Sequence, residues 1–146
     1  MFKKFSREFL IHNNKDDQYN PTIVYSPFSS SDLSITWSNK EIGTASTRII
    51  VKHHNTTRST GNSVTDLVAV NGDFATNRMH SKIIYLANGD QLVTWCSDMQ
   101  DSSGFGVYAT ILEHSGSIVK EEFLINTHTA SNQEFPSVAP LANGGF

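Results

Sequence analysis

The sequence has a single cysteine, Cys96, so an internal disulfide is excluded and the chain is not a disulfide scaffold. Charge is also scarce, at 17% of residues with a net charge of −3. The cations are scattered: Lys3 and Lys4 form the only adjacent pair, and no basic stripe marks a nucleic-acid surface. No apolar run approaches the roughly 18 residues of a membrane span. The opening residues Met1-Phe2-Lys3-Lys4-Phe5-Ser6-Arg7-Glu8 place no continuous apolar stretch behind their positive charges, so they do not read as a secretory signal peptide. Sustained helical periodicity is missing, as are G-x-S-x-G, P-loop and dinucleotide fingerprints. One N-glycosylation tripeptide, Asn55-Thr56-Thr57, is present, a pattern that arises often by chance.

What is there is 38% hydrophobic residues in a background of Ser, Thr and Asn, with Val and Ile prominent. That is the composition of short strands joined by polar turns. Internal repetition organises it. Leu-Ala-Asn-Gly occurs at 86–89 and again at 141–144, an offset of 141 − 86 = 55, and Asn77 matches Asn132 at the same offset. A more divergent copy lies upstream. There Leu33-Ser34-Ile35-Thr36-Trp37 matches Gln91-Leu92-Val93-Thr94-Trp95 at an offset of 95 − 37 = 58, each with Asp five residues before Trp. Glu8-Phe9-Leu10-Ile11 likewise matches Glu122-Phe123-Leu124-Ile125, with Asp66-Leu67-Val68-Ala69-Val70 in the corresponding place between them. Offsets that vary inside polar loops are physically cheap.

These matches predict an all-β chain of four-stranded antiparallel units, β-propeller-like and incomplete, amounting to about two and a half units. The units fall at approximately 14–70, 71–126 and a partial 127–146, with 8–13 an orphan strand, all within one repeat region. In the best unit, Ser81–Leu86 is the first strand. Asn88-Gly89 turns the chain, both residues tolerating positive φ. Gln91–Trp95, Gly106–Leu112 and Glu121–Ile125 follow as the remaining strands, and Pro136–Leu141 starts the next unit. A β-sandwich is the main alternative. Open strand edges pair with other chains, so the expected partners are the remainder of a longer chain or further copies that close a ring together.

The run Gly104-Phe105-Gly106-Val107-Tyr108-Ala109 to Gly116, then Glu122-Phe123-Leu124-Ile125-Asn126-Thr127, then Pro136-Ser137-Val138-Ala139 to Gly144-Gly145-Phe146 resembles repeats of large bacterial secreted proteins. These are the hemolysin-type, adhesin-like exoproteins associated with RTX export. The resemblance covers 77–146 well and 8–70 loosely. It implies a secreted or cell-surface location and a non-catalytic role in adhesion, binding or spacing. Such proteins carry C-terminal export signals, in keeping with the absence of one here at the N-terminus. Their calcium-binding glycine nonapeptides are absent from this sequence.

Candidate sites are sparse. Trp37 and Trp95 share one repeat position and are the candidate ligand-binding residues, since repeated aromatics can stack on glycans; packing between units is the favoured alternative. Asp98 and Asp101, with Ser102 and Ser103, offer hard oxygen ligands for a calcium ion, without the alternating spacing of a calcium loop. No other cofactor is expected. Ser30-Ser31-Asp32-Leu33-Ser34-Ile35-Thr36-Trp37 resembles the Asp-box of sialidase-type propellers, with Ser34 in place of glycine. In that family the box is a structural turn, its Asp capping backbone N–H groups. A sialidase-like glycosidase would need an arginine cluster, but Arg7, Arg48, Arg58 and Arg78 recur at no repeat position. Catalytic residues are therefore none, and a carbohydrate-binding propeller assembled from several chains is the alternative function. His53 and His54 point to opposite faces of any strand and cannot jointly hold a metal. His12, His80, His114 and His128 show no ligand spacing, and Cys96 reads as a packed thiol.

Overall fold

In the computed structural model, residues 15–55, 68–70 and 76–146 are described. The expected strand at 8–13, Arg7, Arg58 and His12 lie outside them. The described chain is all-β. In order along the sequence come β1 (Asp17–Tyr25), β2 (Asp32–Lys40), β3 (Arg48–Asn55), β4 (Val68–Ala69), β5 (Arg78–Tyr85), β6 (Gln91–Asp98), β7 (Phe105–Leu112) and β8 (Ile118–Leu124). They form two four-stranded antiparallel meanders, β1-β2-β3-β4 and β5-β6-β7-β8. Neither sheet closes into a barrel, and no helix among the described residues is long and apolar enough to cross a membrane.

Both sheets begin with the same device. In β1 the register moves from Tyr19↔Ser38 to Thr22↔Thr36, and in β5 from Met79↔Cys96 to Lys82↔Thr94. Each step places one extra residue in the first strand, a β-bulge. Asn20 (φ 52°) and His80 (φ 59°) take the left-handed conformation at these bulges, and Phe135 (φ 58°) takes it 55 residues after His80. The three side chains run in a column: Asn20 Nδ2 lies 3.4 Å from His80 Nδ1, and the His80 ring stacks 4.4 Å from that of Phe135.

The turns repeat as well. Gly89 N–H donates to the Leu86 carbonyl (3.0 Å) and Leu86 N–H to that of Asp90 (2.8 Å). Gly116 and Glu113 make the same pair with Glu113 and Ser117, and Gly144 and Leu141 with Leu141 and Gly145. Each is a three-residue loop whose glycine, at φ 92°, 94° and 87°, takes the left-handed position. At the first turn only Gly89 has positive φ. Asn88 does not, and instead its side chain accepts from Asp90 N–H (3.1 Å). Residues 136–141, expected as a strand, lead into the turn but pair with no strand among the described residues.

β5 packs across β1, β2 and β3, so the second sheet lies on a face of the first. Ile49 and Val51 from β3 join Ile83, Val93, Trp95, Tyr108 and Leu112 in the core between the sheets. Thr22 and Thr36 donate to the carbonyl (3.1 Å) and hydroxyl (3.3 Å) of Ser81. Thr47 Oγ1 donates to the Arg78 carbonyl (2.7 Å) and accepts from Arg78 N–H (2.5 Å). Leu33, Ile35, Trp37 and Ile50 form a second buried cluster on the opposite face of the first sheet. A third cluster, on the far face of the second sheet, joins Leu86, Leu92 and Ala109 to Phe123, Ile125 and Val138. β6 is consequently buried on both faces from Gln91 to Ser97.

Candidate binding cleft

Trp95 is 0% and Trp37 3% exposed, so neither offers a ring face to a ligand in solution. Asp98 closes β6, where its N–H donates to the Asn77 carbonyl (2.9 Å). Asp101 sits in the following loop and accepts from Ser103 N–H (3.2 Å). Among the described residues no group of three or more His, Cys, Asp or Glu could hold a metal ion. Asp32 caps no backbone N–H among the described residues. Its oxygens take Asn55 Nδ2 (2.6 Å) and, at 3.8 Å, His114 Nε2. The Cys96 thiol is buried, which pushes its pKa up to about 11.

The structure instead gathers chemistry at one end of the interface between the sheets. A cleft of about 260 Å3 opens there, lined by Ser26, Phe28, Ser29, Asp32, Tyr85, Gly89 and His114. Hairpin loops and the strand ends beside them place the walls. The β7–β8 turn presents His114, and the β5–β6 turn presents Gly89 with no side chain to fill the space. The β1–β2 loop breaks the repeat. Ser26 N–H donates to the Asp32 carbonyl (2.9 Å), closing five residues where the β5–β6 turn closes three. Ser26 Oγ accepts from Phe28 N–H (3.2 Å), holding the longer loop in shape. Phe28 thereby leans over the neighbouring turn, edge-on to Tyr85 at 6.4 Å and in contact range of any Cβ placed at Gly89.

A buried polar network lies beneath. Ser34 Oγ is 2.7 Å from His53 Nδ1 and 3.1 Å from the Tyr85 hydroxyl, and Gln91 Nε2 is 3.3 Å from the same His53 nitrogen. It crosses between the sheets, since Ser34 and His53 belong to the first and Tyr85 and Gln91 to the second. Burial lowers the His53 pKa to about 4, helped by His114 and opposed by Asp32. With Gln91 Nε2 as donor, His53 Nδ1 is an acceptor and the ring is neutral. The Ser34–His53 pair has the spacing of a nucleophile and its base. Ser34 is fully buried, so the pair is not presented to solvent.

None of the cleft residues was a candidate ligand from sequence. Asp32 reads as the Asp of a structural turn and His114 shows no ligand spacing, and Phe28 and Tyr85 belong to different units. The signal that could have found them is the two-residue excess in the β1–β2 loop. Comparison of the chain with family models, curated proteins and solved structures gives no match.

Proposed function

We propose that the chain is a stretch of a non-catalytic, propeller-like repeat array in a secreted or cell-surface protein, serving in adhesion, binding or spacing. The observation that carries this reading is the recurrence of one backbone program. The left-handed bulge residue and the glycine turn return at residues 135 and 144, beyond the two sheets. The facing of the sheets agrees. Trp37 and Trp95 hold one strand position, and Trp95 faces the preceding sheet while Trp37 faces away from the following one. Units related in this way stack head to tail, and such a stack extends or closes into a ring. The location rests on the resemblance of residues 77–146 to exoprotein repeats. Further units, from a longer chain or from other copies, are the proposed partners.

The test is a graft. Phe146 stands at the repeat position of Gln91, so residues 92–125 appended after it should complete a third unit. A third sheet protected from hydrogen exchange, with a higher Tm, is the expected result. An appended segment that exchanges freely and leaves Tm unchanged overturns the reading.

A further inference from the structure

We propose that the cleft between the two sheets is a binding subsite for a single neutral sugar ring. The inference rests on the reading of the array as a binding module. Its volume of about 260 Å3 is below the roughly 300–1,000 Å3 of sites that take drug-sized ligands, so it suits one ring rather than a chain.

The walls divide by chemistry. Phe28 is 61% exposed while one edge of its ring rests over Gly89, and its open surface is apolar and suits the C–H face of a pyranose. Its exposure is costly in water and follows from a loop longer than the repeat requires. Across the cleft, Asn55 fixes one oxygen of Asp32 and the other, Oδ2, lies 3.8 Å from His114 Nε2. That gap is too long for a hydrogen bond. A ligand hydroxyl set to one side of the pair, within hydrogen-bond reach of both atoms, donates to the carboxylate and, with the proton on Nε2, accepts from the imidazole. A cation beside Phe28 would face the Asp32 carboxylate, which Asn55 already braces and His114 already faces. The pairing of one apolar face with one adjacent acceptor and donor therefore favours a neutral polyol over an ammonium group. Tyr85, tied to Ser34 and edge-on to Phe28, gives the floor a fixed position.

The test is a titration of the 15N-labelled chain with the methyl glycosides of glucose, galactose, mannose and N-acetylglucosamine, and separately with tetramethylammonium, followed by amide shifts. One glycoside should shift the Phe28, Asp32, Gly89 and His114 amides saturably, with Kd of about 1 mM, an affinity in keeping with a single small site. Phe28→Ala, at an exposed position, should keep the spectrum of the folded chain and weaken binding about tenfold or more, and Asp32→Asn should weaken it similarly. Saturable shifts from tetramethylammonium alone overturn the proposal in favour of a cation site. So do glycoside shifts that map elsewhere, or no glycoside shift up to about 50 mM, some fifty times the expected Kd. If the graft folds as a third unit while no glycoside binds, the sugar subsite is refuted and the repeat reading stands.

Discussion

Acid should loosen the joint between the two sheets through one side chain, His53. It is buried, and its Nδ1 faces a Ser34 hydroxyl and a Gln91 amide contributed by opposite sheets. Its folded pKa of about 4 lies below the ordinary 6.5. The unfolded chain therefore takes up the proton first as pH falls. Stability from this group is fully present above about 6.5 and is lost progressively as pH falls to about 4. At about 1.4 kcal/mol per pH unit the full loss would be about 3.5 kcal/mol, and residual solvent contact brings it to about 2. Carboxylates contribute their own pH dependence, so the comparison is between the wild type and His53→Gln. Urea unfolding at pH 7, 6, 5 and 4.5 should show wild-type stability falling faster by about 2 kcal/mol over that range. Equal slopes for the two proteins would refute a neutral, interface-buried His53.

Trp95→Ala, which empties the core between the sheets, should cost about 3–5 kcal/mol in urea unfolding. Thr47→Val leaves the Arg78 backbone N–H and carbonyl without their cross-sheet partner, and a loss of about 1–3 kcal/mol is expected by the same assay. At Gly104, φ is 76° and an added Cβ would run into the Asn132 side chain. Gly104→Ala should therefore destabilise by about 1–3 kcal/mol and raise hydrogen exchange at the Phe105 and Gln133 amides, which bond across this junction. Cys96, with its thiol pushed up to about 11, should react with a thiol reagent at pH 8 only at the rate of unfolding.

The repeat made the sheets legible because turns and central strands carry local signals. Asn88-Gly89 marks a hairpin by its chemistry, and the strand Gln91–Trp95 that follows is where the pattern places it. The start of the first strand was less clear. The bulge at His80 inserts a residue and reverses the alternation, so the pattern reads only from Ser81 although β5 begins at Arg78. β8 begins at Ile118 rather than Glu121, because an edge strand with an exposed face needs no apolar alternation to pair. The cleft was invisible for a different reason. Its walls come from residues 28, 32, 85, 89 and 114, and only the stacking of one sheet on the other brings them together. The aromatic positions that did repeat, Trp37 and Trp95, went to packing.

The central claim is that the two sheets are copies of one unit, the second stacked on the first. Nuclear Overhauser contacts test it most directly, between the Tyr85 ring and Ser34 and between the His53 ring and the Gln91 side chain. Their polar atoms lie 3.1 and 3.3 Å apart across the joint, so strong cross-sheet contacts are predicted. Their absence in a chain that retains the strand-to-strand contacts within each sheet would contradict the stack.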